Sequence, residues 1–264
     1  MSHHIISWSG GKDSTATVLL FKEHYNELVL KGDKVSILFS EVMFDKKNDV
    51  SGHNPRIIEF IKQKAQIFRK WGFNVEILRS DKDYLDVFYH QIAHCKNEEE
   101  IGKTHGFPLM GGMCAIKRDC KLKPIEKWLK SHKNEQIIQY VGIAKDEPLR
   151  LSSLHKKAEK TSLLEKYGYT EDMAMELCEK YDMVSPQYDM ANPYTGKTMK
   201  RDGCWFCANA KLCEMVEVAR VYPAAWRQFV SLEKVPNLHY PKWNVYKADT
   251  LHDYNEKVQE IITL

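Results

Sequence analysis

Through the first 150 positions, short apolar runs alternate with stretches of helical periodicity. Ile5 to Trp8, Val35 to Phe39, Val75 to Leu78 and Ile137 to Val141 are brief and rich in Ile and Val, which predicts buried strands, the second continuing towards Phe44. Between the first two, Thr15, Ala16, Val18, Leu19 and Leu20 follow a helical pattern. Ile57, Ile58, Phe60, Ile61, Ala65 and Phe68 mark one face of a helix expected over 54–71, with Gly72 as its stop. Further helices are expected over 84–94 and 117–130. Strands alternating with helices of this length imply βαβ units. The predicted fold is α/β, a doubly wound and mainly parallel sheet with helices on both faces.

After about residue 150 the pattern changes. Helices are predicted over 153–167 and 170–181, separated by Gly168, and 185–203 reads as a loop because of Pro186, Asn192-Pro193 and Gly196. A helix and an aromatic tail follow Cys213, with Tyr222, Trp226, Phe229, Tyr240, Trp243 and Tyr246. The expected organisation is a nucleotide-binding α/β domain over 1–150. A mostly helical, cysteine-bearing region over 151–264 packs on it.

Charge narrows the possible partners only slightly. The 39 basic and 36 acidic residues leave a net +3, which permits anionic ligands but is not the footprint of a dedicated nucleic-acid binder. No stretch approaches the 18–20 apolar residues of a membrane span, and the first residues lack the basic and apolar regions of a secretory leader. The expected location is the cytoplasm, where thiols stay reduced. The seven cysteines are therefore read as metal ligands or redox groups rather than disulfides.

The densest chemical signal is Ser9-Gly10-Gly11-Lys12-Asp13-Ser14, between the first strand and the first helix. Free N–H groups at a helix N-terminus, aided by the dipole, bind anions. Glycines let backbone approach phosphate oxygens closely. Lys12 adds a point charge, and the Ser9 and Ser14 hydroxyls can donate. Asp13 repels phosphate unless a cap or a divalent cation such as Mg²⁺ employs it. The alternative is a glycine-rich turn with a capping side chain.

This hexapeptide resembles the S-G-G-x-D-S pyrophosphate loop of the N-type ATP pyrophosphatases, the PP-loop or adenine nucleotide alpha hydrolase superfamily. Other segments are similar to its phosphoadenosine phosphosulfate (PAPS) reductase-like branch. These are Phe44-Asp45 followed by Gly52-His53-Asn54-Pro55, and Gly106-Phe107-Pro108 followed by Cys114, Cys120 and Lys123-Pro124-Ile125. Gly142-Ile143-Ala144-Lys145-Asp146-Glu147 with Arg150, and Gly203-Cys204-Trp205-Phe206-Cys207, complete the set. The resemblance spans residues 5–210. It departs from PAPS reductases in its intact loop, in Ala144 where the family carries Arg, and in lacking a C-terminal E-C-G-x-H nucleophile.

The intact loop implies ATP rather than PAPS, with β- and γ-phosphates held and the α-phosphorus open to an acceptor. The resemblance implies an enzyme that adenylates the acceptor with release of pyrophosphate, in sulfur transfer or nucleotide or nucleic-acid modification. A PAPS reductase-like oxidoreductase is one alternative, and a non-catalytic nucleotide-binding regulatory or defence-associated protein is another. Lys12, Asp13 and Arg150 are the expected catalytic residues. Ser7, Ser9, Gly10, Gly11, Lys12, Asp13, Ser14, Asp45, Gly142 and Glu147 are expected to bind the nucleotide. Asp45 is equally readable as an Asx turn, and Glu147 with Arg150 as a surface ion pair.

Cys114-x5-Cys120 and Cys204-x2-Cys207 supply four sulfurs, a donor set for Zn²⁺ or a [4Fe–4S] cluster. Cys213 is held in reserve, and a redox dithiol or free thiols are the alternatives. Cys95 and Cys178 fall in helical patterns and are read as packing residues. Lys197, Lys200, Arg201, Lys211, Arg220 and Arg227 interleave with Trp205, Trp226 and Phe229, a pattern that suits nucleic acid or, alternatively, a core. The expected partners are an adenine nucleotide and an acceptor, nucleic acid among the candidates, with no membrane and a homo-oligomer allowed.

Overall fold

The computed structural model describes residues 1–110, 112–199 and 203–263. Internal packing divides the chain into two compact units, one of residues 1–40, 59–78 and 125–188, the other of 41–58, 79–124 and 189–264. The units interleave along the chain and do not meet at the expected boundary of 150.

In the first unit the four predicted apolar runs become strands β1 (Ser2–Ser7), β2 (Lys34–Glu41), β3 (Asn74–Arg79) and β4 (Gln136–Tyr140). A fifth strand, β5 (Lys160–Thr161), gives the order β3–β2–β1–β4–β5. The β1–β2, β1–β4 and β4–β5 pairings are parallel, with Ile5 opposite both Ser36 and Gln139. Strand order steps outward on both sides of β1, so the sheet is doubly wound as expected. The crevice beyond the C-terminal ends of β1 and β4 is its topological switch point, where open α/β sheets bind ligands.

Helix α1 (Lys12–Glu23) follows β1 and is buried continuously from Ser14 to Phe21. Its buried Ser14, Thr15 and Thr17 hydroxyls are each hydrogen-bonded, which lets a helix carrying them lie in an interior. Beyond it come α2 (Pro55–Lys70), α3 (Lys123–Ser131), α4 (Pro148–Leu154) and α5 (Glu171–Lys180). The Thr170 hydroxyl caps α5 by accepting from Met173 N–H.

The helix expected over 153–167 is instead α4, β5 and a short turn of helix at Leu163–Lys166. Ser162 explains the break. Its buried hydroxyl donates to Ile143 O at 2.6 Å and caps the following turn, holding the backbone extended beside β4. The helix expected over 84–94 ends at Phe88, because Gln91 bridges to Thr104 and Ile92 exchanges backbone hydrogen bonds with Gly102 and Lys103. Cys95 therefore lies outside any helix. Residues 117–122 form a π-helical segment leading into α3.

The second unit is mainly helical, with α6 (Leu212–Val221), α7 (Pro223–Ser231) and α8 (Leu251–Thr263). Its core is aromatic, built on Phe44, Tyr84, Phe107, Trp205, Trp226 and Phe229. Each buried indole N–H has an acceptor, as large amphipathic rings require. Trp205 donates to Ser51 O at 2.8 Å, Trp226 to Asn255 Oδ1 at 2.8 Å and Trp243 to Phe206 O at 2.9 Å. Among the described residues no helix is long and apolar enough to cross a membrane.

Candidate functional site

The loop Ser9–Ser14 sits at the switch point of the first unit. Gly10 has φ +85°, a conformation that requires glycine, and a Cβ there would also displace the tip of the Ile61 side chain, 2.4 Å away. Gly142, just beyond β4, closes on the loop from the other side. A Cβ at Gly142 would meet Asp13 C and Ser14 N at 2.6 Å. Ser14 Oγ donates to Gly11 O at 3.0 Å and accepts from Ser9 N–H at 3.1 Å, which curls the loop over the start of α1. The Lys12 N–H is taken by the Tyr188 hydroxyl at 3.1 Å. Cys178 packs beneath, its thiol donating to Lys12 O, and burial pushes that thiol up to about 12. This places Cys178 as a packing residue.

Charge around the loop is dominated by carboxylates. Lys12 Nζ donates to Asp13 Oδ1 at 2.8 Å and to Glu171 Oε2 at 2.7 Å. Burial opposes the Lys12 charge, yet these two acids hold the ammonium above the usual lysine value. Burial raises Asp13 above the ordinary aspartate value; Lys12 opposes this, and Glu171 and Glu147 add to it. Glu147 accepts from Ala144 N–H at 3.1 Å and pairs with the exposed Arg150 guanidinium. Ser7 accepts from Gln139 Nε2 at 2.9 Å at the end of β1. Ser7, the hexapeptide, Gly142, Glu147 and Arg150 thus all belong to one unit. Glu171, Tyr188 and Ile61 join them without any signal in the local sequence.

Asp45 belongs to the second unit. Both of its carboxylate oxygens engage Asn48, accepting from the backbone N–H at 3.1 Å and from Nδ2 at 2.7 Å. The backbone bond reaches three residues on rather than the two of an Asx turn, so Asp45 braces its own loop by a wider local contact. It borders a cavity of about 520 Å³ with Lys47, Asp83 and Tyr89.

The cysteine set lies in the same unit, with Cys114, Cys204 and Cys207 near enough to Tyr84 to act on it. This phenol is fully buried and has no hydrogen-bond partner among the described residues. Burial raises its pKa well above the usual tyrosine value, and the thiolates of Cys114, Cys207 and Cys204 would raise it further. Cys120, near enough to feel Cys114, donates its thiol to Asp83 O at 3.8 Å, and burial pushes it up to about 12. Cys213 responds to burial, Glu214 and Lys211.

The rings proposed for base stacking are interior. Trp205, Trp226 and Phe229 are at most 1% exposed, so the helical spacing of Trp226 and Phe229 on α7 reflects core packing, and Trp205 joins that core from a turn. Lys200 and Arg201 lie outside the described residues. Lys211 does line a cavity of about 760 Å³ together with Lys247, Lys257, Tyr194 and Tyr254.

No family model matches the chain. An uncharacterised protein of Methanocaldococcus jannaschii is 20% identical over 226 residues, covering 85% of this chain. The chain spans 40% of that protein's length. Among solved structures, the U34-tRNA thiolase NcsA from Methanococcus maripaludis with its [4Fe–4S] cluster aligns with 97% of this chain and 80% of its own. The TM-score is 0.41 and the identity 12%. Neither likeness assigns the chain to a family.

Proposed function

We propose that the chain is a PP-loop enzyme that binds ATP and adenylates an acceptor with release of pyrophosphate. The observation carrying this reading is the loop Ser9–Ser14 at the switch point, with Gly10 and Gly142 leaving its backbone bare on both sides. Amides at the start of α1 and the Ser9 and Ser14 hydroxyls hold the β- and γ-phosphates. Lys12 reaches a phosphate by exchanging one of its two carboxylate partners. An acceptor oxygen attacks the α-phosphorus, the bond to the bridging oxygen breaks, and pyrophosphate leaves with that electron pair. Catalysis is positioning plus charge neutralisation. The crowding of Asp13, Glu147 and Glu171 around one lysine disfavours a bare polyanion. Asp13 and Glu171 would hold Mg²⁺, which neutralises phosphate charge when bound. Arg150, exposed beside Glu147, is free to turn towards the α-phosphate or the acceptor.

Cys114, Cys204 and Cys207, with Cys120 as fourth sulfur, form the metal-binding set. The buried Tyr84 O–H without a protein acceptor supports a bound group there. Among the described residues no three of these sulfurs lie within 4.8 Å of one another. Four thiolates on one zinc ion, at bonds of about 2.3 Å, stand about 3.8 Å apart. Four sulfurs are a donor set for zinc or for a [4Fe–4S] cluster, and the latter would supply redox-active iron for sulfur transfer. The lysine- and tyrosine-lined cavity supports an anionic acceptor such as a nucleic acid.

Pyrophosphate release from ATP, measured on anaerobically purified protein, tests the reading. Lys12→Ala should abolish release, and Cys204→Ala/Cys207→Ala should lose bound iron. Thioredoxin-dependent sulfite release from PAPS would favour the reductase alternative. Tight ATP binding without product would favour the non-catalytic one.

A further inference from the structure

The first unit carries a second constellation at the N-terminal edge of its sheet, the edge opposite the phosphate loop. His132 and Glu135 lie three residues apart in the turn between α3 and β4, closed by Glu135 N–H donating to His132 O at 3.0 Å. Because β1 and β4 pair in parallel, with Ser2 opposite Gln136 and His3 opposite Ile137, this turn is delivered to His3. One ligand atom from each of His3, His132 and Glu135 lies within 4.8 Å of the other two.

The surrounding hydrogen bonds set the tautomers. His132 Nδ1 lies 2.9 Å from Trp128 O. A carbonyl only accepts, so Nδ1 carries the proton and Nε2 keeps its lone pair. His3 Nε2 lies 2.8 Å from Ser36 Oγ, an oxygen able to accept, which leaves Nδ1 to face Glu135 Oε2 at 2.5 Å. A ring nitrogen and a carboxylate oxygen this close share a proton, and they part to about 3.3 Å when both bind one tetrahedral metal ion. Each histidine also has its outer-shell partner already in place, as metal-bound histidines do. The rings are fixed by packing, with His132 stacked on Trp128 at 3.8 Å and edge-on to His3 at 5.6 Å.

We infer that His3, His132 and Glu135 form a zinc(II) site, with three protein ligands and a fourth position for water. Two neutral imidazoles and a carboxylate are a donor set suited to zinc. Lys34 Nζ, 2.7 Å from Glu135 Oε1, is 66% exposed and leaves for solvent at little cost. Metal replaces the proton on His3 Nδ1, so binding releases it to solvent. The ion ties the turn after α3 to the first strand, independently of the nucleotide site.

The test uses the full chain, stripped with chelator and titrated with Zn²⁺ alone or Co²⁺ alone. With the cysteine set disabled by Cys204→Ala/Cys207→Ala, we expect one Co²⁺ site with visible ligand-field bands and no near-ultraviolet thiolate-to-cobalt band. A hundredfold excess of Zn²⁺ over Kd should raise the unfolding midpoint by about 5–10 °C. His132→Ala should retain the fold, lose those bands and weaken Zn²⁺ binding on the order of 100-fold or more. Glu135→Gln, which preserves size, checks the result should the alanine variant misfold. Metal uptake seen only as a thiolate band and unchanged by either variant would assign the ion to cysteine and overturn the proposal. Folded wild type that takes up neither metal would overturn it as well.

Discussion

Gly142→Ala isolates the contact on which the phosphate loop depends. The added methyl would lie 2.6 Å from Asp13 C and Ser14 N and 2.8 Å from Asp13 O, all backbone atoms, so no rotamer change relieves it. Ordinary carbon contacts are about 3.5–4.0 Å, so β4 and the start of α1 must separate by about 1 Å. Overpacking of this kind costs about 1–3 kcal/mol, which lowers the midpoint by about 2–12 °C for a chain of this size. A displacement of about 1 Å at the reacting groups costs turnover on the order of 100-fold. Thermal unfolding and pyrophosphate release measured on one preparation read both effects. Gly72→Ala is the contrast, because Gly72 has φ +89° but open space around its Cβ. It should lose about 1 kcal/mol and no turnover. A Gly142→Ala protein that melts and turns over like wild type would refute the close approach. Loss of turnover without loss of stability would show that the crowding is relieved by moving the loop alone.

Asp13→Asn should stabilise the protein at pH 7. Asp13 is raised in the folded state, so its proton favours folding and that contribution fades as pH rises from the unfolded value of about 3.9 through the folded one. The gain over wild type should therefore vanish below about pH 4 in a melting series, while pyrophosphate release falls at every pH. Trp205→Ala empties a fully buried site and breaks the bond to Ser51 O, and should cost about 3–5 kcal/mol in urea unfolding; a loss under about 1 kcal/mol would contradict its place in the core. Tyr84→Phe removes a buried hydroxyl without a partner, so metal-free protein should gain about 1 kcal/mol by the same measurement. A loss instead would show that the hydroxyl is satisfied in solution.

Legibility from the sequence followed range. The hexapeptide Ser9–Ser14 could be placed because strand, glycines and helix start are neighbours along the chain. The apolar runs marked four strands for the same reason, since each buries itself through its own residues. The polar pair Lys160-Thr161 carried no such mark, and becomes a strand only because β4 offers it an open edge. Trp205, Trp226 and Phe229 show the limit of periodicity. A ring at helical spacing looks the same whether it meets a base or a core, and here packing buried all three. Cys204-x2-Cys207 was visible as a pair, whereas its association with Cys114 around Tyr84 arises from folding.

The sequence by itself determined the α/β class, the place of the Ser9–Ser14 loop between strand and helix, and the cysteine spacing, because those features rest on interactions between residues close in the chain. Only the tertiary structure decided that Gly142 backs onto Asp13, that Glu171 and Tyr188 engage Lys12, and that His3 meets His132 and Glu135. Those meetings depend on strand order and on which apolar faces bury one another. Such pairings are settled by burial summed over the whole unit and are written in no single stretch of it.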